Sequence, residues 1–97
     1  MPTYITLFKW TELGIREVKS SLERLEKAKQ HARAGGGELK AAYYPMGEYD
    51  GVVVSEAPND EAATRNALGT GMQGFVRTVT MRAYTEDEFR KLLSSMP

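Results

Sequence analysis

A chain of 97 residues is a single domain, 1–97, too short to bury much of its surface alone. Hydrophobic residues make up 41% and charged residues 27%, and 13 basic residues balance 13 acidic ones. No net field therefore draws the chain toward nucleic acid or an anionic membrane. Cysteine is absent, which excludes disulfides, thiolate nucleophiles, thiolate metal sites and iron–sulfur clusters. Met1–Trp10 lacks the basic and long apolar segments of a signal peptide, and no run approaches transmembrane length. The expected address is cytoplasmic.

Tyr4-Ile5-Thr6-Leu7-Phe8 is rich in aromatic and β-branched residues and predicts a first strand. Thr11 is placed to cap a long helix reaching about Ala34. Its apolar stripe would be Ile15, Val18, Leu22 and Leu25, with Glu17, Arg24 and Lys27 on the solvated side. Gly35-Gly36-Gly37 stops that helix. Leu39–Tyr44 predicts a second strand, and Pro45-Met46-Gly47 a turn. Tyr49–Ala57 predicts a third strand centred on Val52-Val53-Val54. Pro58 ends it, and Asn59 or Asp60 caps an alanine-rich helix to about Leu68. Phe75–Tyr84 predicts a fourth strand. Thr85 and Glu88 then have capping-box spacing for a short helix with Phe89, Leu92 and Leu93 on one side.

The order β-α-β-β-α-β plus a terminal helix predicts an α+β fold of ferredoxin-like type, an antiparallel sheet with helices on one face. Parallel neighbours joined through helices would follow the right-handed crossover. The first strand offers Ile5 and Leu7 to one face and Tyr4, Phe8 and Trp10 to the other, and the third strand does not alternate. Both faces of the sheet are then apolar, so the helix-free face needs a cover. A second copy of the sheet is the expected one, giving a homodimer or higher homo-oligomer.

Three local patterns have structural explanations. Gly69-Thr70-Gly71-Met72-Gln73-Gly74 has dinucleotide-fingerprint spacing, but it follows a helix and enters a strand, the reverse of what phosphate binding needs. A plain loop is expected there. His31, the only histidine, lies off the apolar stripe as a surface imidazole, with no second strong ligand at metal or haem spacing. Asn59-Asp60-Glu61 and Glu86-Asp87-Glu88 sit at helix starts, where the helix dipole favours acidic groups. No metal site and no cofactor follow from these residues.

Trp10, Tyr43, Tyr44, Tyr49, Asp50, Glu56, Arg77 and Arg82 fall near strand ends. Asp50, Val52, Val54 and Glu56 share one face of the third strand by its two-residue period, and Val76, Thr78, Thr80 and Arg82 share one face of the fourth. Polar groups on a covered face need partners. They serve either as ion pairs fastening strands and subunits or as the walls of a ligand cavity between sheet and cover. Asp50 is expected to pair with Arg77 or Arg82, either by long reach across the first strand or with an arginine of the second subunit.

Tyr43-Tyr44-Pro45-Met46-Gly47-Glu48-Tyr49-Asp50, Glu56-Ala57-Pro58, Val76-Arg77-Thr78 and Met81-Arg82-Ala83-Tyr84 together resemble the GYD domain family, named for the motif that Gly47, Tyr49 and Asp50 carry here. The opening Phe8–Ile15 fits the same pattern. The resemblance runs nearly end to end and implies a dimeric α/β-barrel domain. It implies little about activity, since proteins of that barrel class include monooxygenases, isomerases and haem enzymes. Pro45, Phe75 and the glycine-rich segment depart from the family's usual residues.

Two functional readings stand at this point, and whether the chain is an enzyme stays open. One is an oligomeric small-molecule-binding domain with scope for cofactor-independent chemistry. In that reading Asp50 or Glu56 is base or anchor, Arg77 or Arg82 stabilises an anion, and Trp10, Tyr44 and Tyr49 line the site. The other is a non-catalytic oligomeric interaction module. A haem reading would rest on His31 alone.

Overall fold

A computed structural model describes residues 1–97. Its elements run β1 (Thr3–Trp10), α1 (Glu12–Arg16), a 3-10 turn (Val18–Ser20), α2 (Ser21–Ala34), β2 (Glu38–Tyr43), β3 (Gly51–Glu56), α3 (Asp60–Met72), β4 (Val76–Ala83) and α4 (Glu86–Ser94). The strands form one sheet in the order β2-β3-β1-β4. Every neighbouring pair is antiparallel. This is the expected ferredoxin-like α+β arrangement, with α2 and α3 packed on one face. The handed crossover does not join parallel neighbours as expected. β1 and β2 run parallel, but β3 lies between them.

The helix expected from Thr11 to Ala34 is broken. Thr11 caps α1 as expected, its hydroxyl accepting from the Gly14 amide at 3.0 Å and donating to the Gly74 carbonyl at 2.5 Å. The Thr11 amide also donates to the Phe75 carbonyl at 3.0 Å. Those bonds tie α1 to the start of β4, while α2 packs across β2 at the far edge. One straight axis cannot serve both ends, and Glu17 leaves helical geometry at φ −101° and ψ 24°.

The break decides which residues face the sheet. Ile15 and Leu22, expected inward, are 53% and 64% exposed. The sheet-facing stripe of α2 is Ser21, Arg24, Leu25, Ala28, His31 and Ala32, still at three- and four-residue steps. Arg24, expected on the solvated side, is therefore turned inward.

Asn59 caps α3, its side-chain oxygen accepting from the Ala62 amide at 2.9 Å. The helix runs through Gly69 and Gly71 to Met72, past the expected end at Leu68. Most of the glycine-rich segment is thus helix rather than loop, and only Gly74, at φ +83°, makes the turn into β4. The segment still closes a helix rather than opening one. At the C-terminus Thr85 and Glu88 form the expected capping box, and Phe89 and Leu93 are 54% and 53% exposed.

The buried apolar set is Tyr4, Ala32, Ala57, Ala62 and Ala63, one large side chain among small ones. Tyr4 is tied to α3 by its hydroxyl, which donates to Asp60 at 2.6 Å. That bond, with burial, raises the Tyr4 phenol above its ordinary value. The radius of gyration is 14.5 Å, against about 13 Å for a compact chain of this length. No helix is long and apolar enough to cross a membrane.

Two outcomes follow from these local geometries. A Cβ at Gly71 meets nothing within 4 Å. Gly71→Ala should therefore raise stability by about 0.5–1 kcal/mol in urea unfolding, and a loss would show that the glycine is required. The Glu88 carboxyl is held below its ordinary value chiefly by the Thr85 amide that donates to it. Its ionised form favours folded α4, so that contribution is present above about pH 4.5 and is lost as pH falls through the lower folded value. Amide exchange should show α4 fraying below that pH while β1 and β3 stay protected, and Glu88→Gln should flatten the dependence.

Candidate functional site

Alternation along β1 sends Tyr4, Thr6, Phe8 and Trp10 toward the helices and Ile5 and Leu7 to the open face. Val53 and Ser55 of β3 and Thr78 and Thr80 of β4 share the helix side. The helices meet this face with small or short polar residues, Ala28 and Ala32 from α2 and Ala63, Asn66, Ala67 and Thr70 from α3. Too little volume projects from the helices to fill the space beside the β1 aromatics. A cavity of about 310 Å3 remains between sheet and helices.

One end of the cavity is aromatic. Phe8 packs edge-on to Trp10 at 5.1 Å and to Tyr44 at 6.1 Å, and the Trp10 and Tyr44 rings lie 15° from parallel at 6.3 Å. Gly51 makes room for this cluster, since a Cβ there would overlap the Phe8 ring. The Arg24 guanidinium lies 4.1 Å from the centroid of Phe75 and 5.9 Å from that of Trp10. Its Nη1 donates to the Glu17 carbonyl at 3.1 Å, while Nη2 is buried without a partner. Burial raises the Tyr44 phenol above its ordinary value, against the opposing pull of Arg24 and Lys29. Thr6 and Thr80 share a hydrogen bond at 3.0 Å. Arg24, Arg65 and His31 are among the lining residues, and no aspartate or glutamate is.

Of the residues expected from sequence to line a site, Trp10 and Tyr44 meet in this cavity. Tyr49 lies instead against Lys9, 5.2 Å from its ammonium. Within the chain, Asp50 does not pair with Arg77 or Arg82. Its carboxylate accepts from the Trp10 amide at 2.9 Å, and its own amide donates to the Phe8 carbonyl at 2.8 Å. Both arginines are beyond its reach because β1 separates β3 from β4. Gly47, at φ +110°, sets the turn that delivers Asp50 to this position. Glu56 lies 3.9 Å from Lys40 on the helix-free face. Arg77 and Arg82 alternate to opposite faces of β4, and both border a wider groove of about 790 Å3 along α3. Arg82 sits 3.7 Å from Glu88 and 4.7 Å from the Tyr84 ring.

Sequence reasoning missed Phe8, Phe75 and Arg24 as cavity residues. The available signal was the spacing Ser21, Leu25, Ala28 and Ala32, a stripe of small and apolar residues that Arg24 adjoins.

The Asp50 clasp has a measurable signature. Asp50→Ala leaves the Trp10 amide without its acceptor and should cost about 1–3 kcal/mol in thermal or urea unfolding. Asp50→Asn keeps an acceptor oxygen and should cost less than half as much. Equal losses would show that the charge, rather than the hydrogen bond, matters.

Comparison with known proteins gives a family and a fold. The GYD domain model matches residues 4–93. A glutamine synthetase and cystathionine beta-lyase binding protein from Thermus thermophilus is 33% identical over 84 residues, covering 86% of this chain and 88% of that protein. Among solved structures, MtbAldR superposes with a TM-score of 0.70 at 9% identity, over 88% of this chain and 52% of that one. TTHA0845, also from Thermus thermophilus, superposes at 0.54 with 17% identity, over 88% of this chain and 95% of that one. At such identities these structural likenesses concern the fold. The match of nearly the whole length to one family model, with the Gly47, Tyr49 and Asp50 motif at the clasp, shows that the chain belongs to the GYD domain family.

Proposed function

We propose that this chain is a non-catalytic binding module that self-associates through the helix-free face of its sheet and docks other proteins. The observation that carries this reading is that face itself. Ile5, Leu7, Val52 and Val54 point to it from the central strands, beside Val79 and Met81, which are 51% and 40% exposed. A domain whose buried set is mostly alanine gains most from covering such a surface, and a second copy of the sheet is complementary to it. Two sheets facing each other would give the dimeric barrel of the family.

Ile15, Val18 and Leu22 stay exposed on the helical side, available to a protein of another kind. The relative from Thermus thermophilus is named for binding glutamine synthetase and cystathionine beta-lyase, and enzymes of that kind are the partners proposed here. The acidic residues once open to a catalytic role favour the non-catalytic reading. Asp50 is engaged by a backbone amide and Glu56 faces Lys40.

A second reading concerns the other side of the sheet. The aromatic-ended cavity of about 310 Å3 is of ligand size, which favours small-molecule binding beside protein docking.

Light scattering at micromolar concentration should give a dimer or larger species. Val54→Glu, which places a charge in the apolar face, should shift it toward monomer or lower its solubility. Phe8→Glu faces the helices and should instead impair folding. A clean wild-type monomer would overturn the self-association. Biolayer interferometry with the glutamine synthetase and cystathionine β-lyase of the same organism tests docking, with Leu22→Glu expected to weaken it.

A further inference from the structure

We propose that the helix-side cavity binds a small aromatic or unsaturated carboxylate, with the Arg24 guanidinium as its anchor and the Trp10, Tyr44 and Phe75 rings as its walls. This rests on the reading that the cavity takes a ligand, and it adds the ligand's charge and the residue that reads it.

The argument begins with a charge that cannot be shed. Arginine stays protonated in proteins, so Arg24 carries its full charge into the space beneath the sheet. Its Nη2 is buried without a protein partner, and no carboxylate lies within ion-pairing distance of the side chain. Burying an unpaired donor on a charged group is costly, and a fold keeps one where something else completes it. The cavity lining contains no acidic residue to do so, while the exposed Arg65 and His31 are further basic residues among its lining. An anion from outside the chain is the complementary partner.

The surroundings select the kind of anion. The guanidinium is 4.1 Å from the centroid of Phe75 and 5.9 Å from that of Trp10, so cation–π contact holds it in place. Nη1 donates to the Glu17 carbonyl, and Nη2 is shielded but has no acceptor within the chain, so the guanidinium keeps a donor that a carboxylate oxygen can take up once the side chain turns toward the cavity. Beyond the charge, the Trp10 and Tyr44 rings stack near parallel with their centroids 6.3 Å apart and form one aromatic wall, against which a flat apolar body can lie. Inorganic phosphate would find the Arg24 guanidinium but leave the aromatic surface uncovered. The volume, about 310 Å3, lies at the small end of ligand sites and fits a single-ring acid.

Trp10 is the only tryptophan, so its emission reports directly on this cavity. The full-length chain is titrated with phenylacetate, with its neutral isostere phenylacetamide, and with inorganic phosphate. Phenylacetate should shift the emission, and phenylacetamide should bind about tenfold or more weakly, the loss of one charge-assisted hydrogen bond. Arg24→Met, checked by circular dichroism, should bring the two affinities together. If that variant does not fold, the wild-type Arg24 side-chain and Trp10 indole resonances must both move on adding phenylacetate. Equal binding of acid and amide would overturn the carboxylate assignment and leave the ligand reading standing. No response to either ring compound would overturn both. Phosphate binding as tightly as phenylacetate would overturn the aromatic part.

Discussion

β1 is the constraint on which this molecule turns. It lies between β3 and β4, is paired on both edges, and carries large side chains on both faces. A central strand with period-two alternation must divide them: Tyr4, Phe8 and Trp10 go to one side, Ile5 and Leu7 to the other. One layer of helices covers only one of those faces. The other face has its own apolar surface and nothing from the same chain to lay on it.

The helices that do cover β1 are mismatched to it in bulk. Apart from Leu25 and the long polar Arg24, His31 and Arg65, they approach with alanine, serine, threonine and asparagine, so the close-packed volume is small and the remaining space becomes a cavity. A thin core and an open cavity are two consequences of the same choice of small residues. The apolar groups that could have filled the space, Ile15, Val18 and Leu22, are turned outward by the break after α1. That break exists because α1 is fixed to the start of β4 by Thr11 and α2 must reach the opposite edge of the sheet.

The family motif has a positional role here. Gly47 adopts a positive φ, the chain turns, and Asp50 lands across the end of β1 with bonds to both Phe8 and Trp10. Gly51 then leaves room for the Phe8 ring. The motif does not enter the cavity. It fixes the strand end that carries the cavity's aromatic wall, so its chemistry is exerted through Trp10 and Phe8 rather than on a ligand.

The sequence alone determined the four strands, their order among the helices, the caps at Thr11 and Thr85, a cap at Asn59 or Asp60, and the turn at Gly47, because each depends on residues a few positions apart, whereas the break between α1 and α2 was not among them. The family was legible for the same reason, through short motifs in register. The inward face of α2 was not, because it depends on where α1 is anchored, and that anchor is a contact between Thr11 and residues 74–75. Arg24 has a charged neighbourhood in sequence and an aromatic one in space, and only the second says what it can bind. The partner of Asp50 was hidden in the same way. Charge suggested an arginine two strands away, but the adjacent strand offered a backbone amide at hydrogen-bonding distance, and proximity decided the pairing.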